Sequence, residues 1–325
     1  MKNGEVVFLK ELYIQGRNLL RESGVENPEL EATLLLSKVL GINTAYIYAH
    51  PEERIQSEKV KEFELLLERR LKREPIAYIL GEKEFYSRSF IVTPDVLIPR
   101  PETEILVEES LKLIKNIPYP TILDVGTGSG CIAVTIACEA ENAQNFATDI
   151  SFEALMVARA NSKRHKVAKR TSLICADFLS CFKKNSFDII ISNPPYIPES
   201  EFHKLESDVR EFEPKASLVG GGSILPRLNR GPGSGQALRL HPSTVQSELV
   251  EVSRPTSGEE GLNCIRKIVH EAGRVLKNDG WCIIEVGANQ SEKVSEIFKG
   301  VGFKEVSTVK DLAGIERVVK GKWKR

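Results

Sequence analysis

The sequence lacks most of the features that mark a nucleic-acid or membrane partner. Lys plus Arg and Asp plus Glu stand at 45 each, so the formal net charge is zero. Such a balance gives no global pull toward nucleic acid or an acidic membrane, although a local basic patch is compatible with it. No apolar run is long enough to cross a bilayer. The opening Met-Lys-Asn-Gly-Glu is followed by no signal-peptide core, so a cytoplasmic protein without a membrane partner is expected. The six cysteines, Cys131, Cys138, Cys175, Cys181, Cys264 and Cys282, form no CxxC pair. Most stand in apolar stretches, where cysteine acts as a small hydrophobe. Neither a zinc site nor a disulfide framework is expected, and no metal ligand is assigned. With 325 residues, 41% hydrophobic and 28% charged, the chain has room for two modest domains or for one large domain with an appendage.

A second scarcity is local. Residues 223–257 hold no Lys, no Asp and no aromatic residue, but carry Arg-Gly-Pro-Gly-Ser-Gly and many Ser and Pro. Apart from a short apolar hint near 245–252 they have no helical or strand period and read as a long loop. Without 222–257, Leu218-Val219-Gly220-Gly221 would run into Gly258-Glu259-Glu260-Gly261-Leu262 as a short polar loop entering a helix. An in-frame insertion into an older domain follows from that junction.

Elsewhere the periodicities are clear. Residues 1–80 read as a helical domain. Phe8, Leu9, Leu12, Leu19 and Leu20 recur at helical spacing. Asn27-Pro28 resembles an N-cap with Pro at the first helical position, and Gly41 ends that helix. A third helix covers roughly 57–73, with Lys, Arg and Glu on an outer face read as solvated. Residues 81–98 read as a hairpin linker, with a turn at Thr93-Pro94-Asp95. From 99 onward a helix through Ile105, Leu106, Leu111 and Leu113 leads into alternating strands and helices. The strands are placed at 121–125, 146–149, 172–175, 187–192 and 281–286, with helices through Ile132 to Ile136, over 152–162 and through Leu262 to Leu276. Strand-like pieces at 302–303 and 311–323 finish the chain. The alternation argues for an α/β, doubly wound, Rossmann-like parallel sheet covered on both faces, behind a small helical N-terminal domain.

Four sites follow the strand ends. Asp124-Val125-Gly126-Thr127-Gly128-Ser129-Gly130 leaves a buried strand and opens a helix, and its glycines let the backbone approach a ligand and adopt positive φ. A dinucleotide site normally has GxGxxG, whereas here the spacing is GxGxG. A tight turn without a ligand is the plain alternative. Asp149, ending the second strand, can accept hydrogen bonds from both ribose hydroxyls, cap the next helix, or do both. At Asp177-Phe178 the ring can stack on adenine and the carboxylate meet its amino group; a turn plus a core Phe fits equally well. The fourth site is decisive. Asn193-Pro194-Pro195-Tyr196 ends the fourth strand, and two prolines stop the ladder while leaving their carbonyls free to accept. The Asn193 side-chain oxygen and the Pro194 carbonyl can take the two N–H bonds of a planar NH2 group, with the Tyr196 ring against its plane. Arg100 and Glu102 stand either at the mouth of the pocket or as a surface ion pair.

Asn-Pro-Pro-Tyr in this position resembles the signature of amino-methyltransferases, which act on adenine or guanine amino groups or on a glutamine side chain. The helical N-terminal domain, Ile98-Pro99-Arg100-Pro101-Glu102-Thr103 and Glu213-Pro214 narrow the resemblance to the bacterial release-factor glutamine methyltransferases. It covers nearly the whole chain outside 222–257. The resemblance implies S-adenosylmethionine held by Gly126, Thr127, Gly128, Ser129, Gly130, Asp149, Phe178 and Asn193. It implies catalysis by Asn193, Pro194 and Tyr196, and a substrate glutamine held by Asn193, Pro194, Pro195 and Tyr196. That glutamine belongs to the Gly-Gly-Gln motif of class I peptide chain release factors, the expected partners of a monomeric enzyme that does not itself bind nucleic acid. Three other readings are weighed against it: a nucleic-acid amino-methyltransferase using the same pocket, a partner-binding protein disabled by the insertion, and a NAD-dependent oxidoreductase. The last lacks the glycine spacing and an obvious catalytic His.

Overall fold

The computed structural model of the chain describes residues 7–220 and 261–325; the inferred insertion at 222–257 lies outside them. The N-terminal region packs helices α1 (Leu9–Glu22), α2 (Pro28–Leu40), α3 (Thr44–Ala49), α4 (Ser57–Leu71) and α5 (Ile76–Leu80) around one apolar core. That core includes Leu12, Leu20, Leu35, Leu36, Phe63 and Leu67. Phe8, expected inside the first helix, instead lies in β1 (Val7–Phe8), which pairs with β2 (Arg54–Ile55). Pro28 opens α2 as expected, but the Asn27 side chain makes no capping hydrogen bond. Gly41 takes the left-handed conformation that ends the helix. The α4 charges are not all solvated. Arg70 is buried, donating to Glu31 at 2.6 Å and to Asp208 at 2.9 Å, so it ties the helical region to the rest of the chain.

A hairpin of β3 (Glu82–Phe85) and β4 (Arg88–Ile91) follows, and its Phe85 and Phe90 are buried beneath α6 (Glu104–Ile114) and α7 (Cys131–Glu139). The seven-stranded sheet comprises β5 (Thr121–Val125), β6 (Gln144–Asp149), β7 (Thr171–Cys175), β8 (Phe187–Ser192), β9 (Leu276–Glu285), β10 (Lys304–Lys310) and β11 (Glu316–Lys322). Their order is β10-β11-β9-β8-β5-β6-β7. The strands from β9 to β7 are parallel, whereas β11 and β10 join antiparallel at the edge. The 302–323 tail is thus an antiparallel pair rather than scattered pieces.

Alternate side chains of each strand face opposite ways, so β5 feeds two cores. Leu123 and Val125 pack with α10 (Asn263–Val275) and α11 (Ser291–Val301). Ile122 packs with α6 and α7 on the other face. Helix α8 (Phe152–Arg164) joins β6 to β7. Helix α11 was not expected from the sequence; Val294 and Phe298 are fully buried along its inner face, and Gly302 ends it in the left-handed region. From β5 the chain builds outward through β6 and β7, then crosses to β8 on the other side. The switch point is therefore between β5 and β8, where an open α/β sheet leaves a crevice beyond its strand ends.

Candidate active site

That crevice is a cavity of about 370 Å³, lined by Gly126 and Gly128 after β5, Asp149 at the end of β6, Asp177 and Phe178 after β7, and Asn193 after β8. Gly126 and Gly128 both adopt positive φ, and a Cβ at either would meet nothing within 4 Å. Bare backbone therefore faces the cavity. The rest of the loop turns inward. Thr127 donates its hydroxyl to Asp124 at 2.6 Å, Ser129 is buried with its carbonyl taken by Asn161, and Gly130 abuts Ala158 of α8. These three shape the loop from behind. Burial pushes the Asp124 carboxyl up to about 7, against the Thr127 and Ala133 hydrogen bonds that favour the anion.

Asp149 accepts the Gly128 N–H and the Ser151 N–H, each at 2.9 Å. Ser151, not Asp149, caps α8, accepting from the Ala154 N–H. These bonds leave acceptor capacity on the Asp149 carboxylate for a vicinal diol. Burial raises this carboxyl above its ordinary value, against the Ser151, Gly128 and Ile150 N–H groups. Phe178 stands at positive φ, with the Lys267 ammonium 4.5 Å from its ring centroid. Asp177 pairs with the same Lys267 at 2.6 Å, so its carboxylate is already engaged.

At the end of β8 the Ser192 hydroxyl donates to the Val125 carbonyl at 2.7 Å, which fixes the two strand ends together. Asn193 donates Nδ2 to Thr103 Oγ1 at 3.1 Å. Pro194 is buried, and Pro195 lines the cavity with Asn193 and Pro194. The Tyr196 ring packs on the apolar core, and its carbonyl accepts from Gln290 Nε2 at 2.9 Å. Burial raises its phenol to about 12, with the Glu285 charge adding to the rise and Arg317 opposing it. Arg100 does not pair with Glu102: its guanidinium meets the buried Glu213 at 2.5 Å, and Glu213 also accepts the Ile98 N–H at 3.2 Å.

Residues 11–81 match the family model of the PrmC N-terminal domain, and residues 103–239 match that of the methyltransferase small domain. The release factor glutamine methyltransferase of Geobacter sulfurreducens is 35% identical over 318 residues, covering 98% of each chain. That of Coxiella burnetii is 36% identical, covering 90% of this chain and 91% of its own. This chain belongs to the release factor glutamine methyltransferase family. The bifunctional methyltransferase of Rickettsia typhi is 34% identical over 96% of this chain, but this chain spans only 56% of that protein.

The cavity residues fit the cofactor S-adenosylmethionine: bare glycine backbone, a strand-end carboxylate with free acceptor directions and an aromatic ring converge there. Sequence reasoning missed Pro94, Asp95 and Leu97, which wall the cavity from the linker. It also missed Glu285, buried at the end of β9 beside Asn193. A lone carboxylate closing the apolar run Cys282-Ile283-Ile284 is the signal that could have revealed it. No helix among the described residues is long and apolar enough to cross a membrane.

Proposed function

We propose that this chain transfers a methyl group to the side-chain amide nitrogen of the glutamine in the Gly-Gly-Gln motif of class I peptide chain release factors. The observation that carries the reading is Asn193-Pro194-Pro195 lining one cavity together with Gly126, Gly128 and Asp149, in a chain of this family. S-adenosylmethionine supplies the activated methyl on its sulfonium. Gly126, Gly128 and Asp149 would hold it, with Phe178 against the adenine and Asn193 at the junction with the substrate. Thr127, Ser129 and Gly130 support that loop from behind.

An amide nitrogen is a weak nucleophile, because its lone pair is delocalised into the carbonyl. Alignment is therefore the main task of the chain. Asn193 Oδ1 and the Pro194 carbonyl accept the two N–H bonds of the glutamine amide, and the Tyr196 ring lies against its plane. Two acceptors also stabilise the positive charge that develops on nitrogen. A phenol held near pKa 12 stays neutral, so Tyr196 acts through its ring. The proton leaves after transfer. Residues 1–80 would present the release factor, 81–98 link the two regions, and the enzyme would work as a cytoplasmic monomer without binding nucleic acid itself.

The test is mass spectrometry of a class I release factor incubated with the purified protein and S-adenosylmethionine. One added methyl on the Gly-Gly-Gln glutamine is expected. An unmodified release factor alongside intact cofactor binding would overturn the assignment of substrate.

A further inference from the structure

The orientation of the Asn193 amide decides whether the pocket can accept an N–H bond at all. An asparagine side chain is nearly symmetric in shape but opposite in polarity at its two ends: one end accepts, the other donates. Turned one way, Asn193 presents Oδ1 to a substrate amide. Turned the other way, it presents two N–H bonds to a group that is itself a donor. Something in the chain must fix the choice.

Two buried side chains are placed to do so. Thr103, at the end of the Ile98 to Thr103 segment, is only 2% exposed, and its Oγ1 receives Asn193 Nδ2 at 3.1 Å. Glu285, also 2% exposed, ends β9, and the register of β8 on β9, which sets Ser192 opposite Ile284, brings it next to Asn193. The polar side chains of Thr103 and Asn193 beside its carboxylate favour the anion, against burial, while Oε2 has no hydrogen-bond partner. In its ionised form the Glu285 carboxylate offers acceptors only, and the Thr103 hydroxyl then gives its hydrogen to Glu285 and turns a lone pair to Asn193 Nδ2. Both acceptors around the Asn193 amide then demand its NH2 end. A flipped Asn193 would set Oδ1 against a buried carboxylate and a hydroxyl oxygen, which is repulsive in a low-dielectric interior.

We infer that Thr103 and Glu285 are positioning residues that lock the Asn193 side chain with its oxygen toward the substrate, making the pocket selective for a planar NH2 donor. The inference rests on the proposed function for its kinetic consequence but not for its structural one. It also gives Thr103 a task within the Ile98 to Thr103 segment that the sequence alone does not assign.

The experiment compares Thr103→Val, Glu285→Gln and Thr103→Ser with the wild type. Thr103→Val and Glu285→Gln are expected to lower kcat for methyl transfer about tenfold to a hundredfold, the scale of a misplaced reacting group, with S-adenosylmethionine Kd unchanged within about twofold. Thr103→Ser, which restores a hydroxyl, should recover most of the lost rate. A second readout needs no turnover: in protein labelled with 15N-asparagine, the Asn193 side-chain NH2 pair, assigned by its loss in Asn193→Asp, should exchange slowly with solvent. It should shift and exchange faster in Thr103→Val and Glu285→Gln. An Asn193 NH2 signal that exchanges freely in the wild type, or is indifferent to both substitutions, overturns the lock. So does Thr103→Val turning over like the wild type. If the wild type itself leaves release factors unmethylated, the proposed substrate falls while the NH2 signal still judges the lock.

Discussion

Replacing Asn193 by alanine separates what this side chain does for the reaction from what it does for the fold. In the proposed geometry, Oδ1 accepts one N–H of the substrate amide, and that bond strengthens as positive charge develops on nitrogen. Removing one polar group aimed at developing charge in a dry site costs about 2.7–4 kcal/mol, or about a hundredfold to a thousandfold in kcat. The cofactor contacts expected at Gly126, Gly128 and Asp149 do not depend on this side chain, since Asp149 is held by Gly128 and Ser151. The Kd for S-adenosylmethionine should stay within about threefold, a change of only about 0.7 kcal/mol. The fold pays separately: the buried Thr103 loses the Nδ2 donor, and an unsatisfied buried polar group costs about 1–3 kcal/mol. Single-turnover methyl transfer to a release factor measures the first effect, calorimetric titration the second, and urea unfolding the third. Single-turnover rates within threefold of wild type would refute the acceptor role, whatever the unfolding curve shows.

Tyr196→Phe should leave turnover nearly unchanged, because the phenol stays neutral and the ring carries the packing. Tyr196→Ala should cut the rate at least about tenfold and destabilise the fold by ~3 kcal/mol; equal losses in both variants would move the role from ring to hydroxyl. Burial raises both Asp124 and Glu285 to about 7. A raised carboxyl stabilises the fold fully below its unfolded value and loses that stability as pH rises through the folded one. Stability should therefore fall between about pH 4 and pH 7, and Asp124→Asn should flatten the fall. Urea midpoints at pH 5, 6 and 7 decide it, and a midpoint that climbs with pH across that window would contradict the assignment. Deleting 222–257 should leave the remainder folded, because Gly220 and Gly261 already meet: a Cβ on Gly220 would collide with the Gly261 carbonyl. Loss of the native circular dichroism spectrum would count against the insertion.

How far the sequence could be read depends on whether a signal is local. The parallel sheet was legible because Thr121 to Val125 and Phe187 to Ser192 are apolar runs ending in Gly or Asn-Pro. The ligand crevice was legible for the same reason: a strand end, a glycine turn and a helix start are neighbours in the chain. Helix α11 went unread although Val294, Ile297 and Phe298 keep helical spacing, because Lys and Glu interrupt the run and no capping hydrogen bond opens it. Arg70 looked like one more solvated charge; its burial comes from Asp208, 138 residues away. Glu213, holding Arg100, and Asn161, bridging Ile91 and Ser129, are hidden in the same way. Long-range polar pairs leave no periodicity in a single sequence.

The three segments that carry the family resemblance meet as one physical unit. Glu213 is a buried carboxylate, and burying an ion is tolerable only when its oxygens are satisfied. The Arg100 guanidinium and the Ile98 N–H satisfy them, so Glu213 fixes the start of the Ile98 to Thr103 segment. The far end of that segment, three residues past Arg100, delivers Thr103 to the Asn193 amide. Beyond Asn193 the loop is tied down again: Ile197 exchanges backbone hydrogen bonds with Leu218 and Gly220, a few residues after Glu213-Pro214. Asn-Pro-Pro-Tyr by itself supplies a stopped strand and a planar acceptor, but nothing in those four residues sets which end of the amide faces the substrate. The Ile-Pro-Arg-Pro-Glu-Thr and Glu-Pro segments brace it from both sides. That is the physical reason the combination is more specific than the tetrapeptide alone.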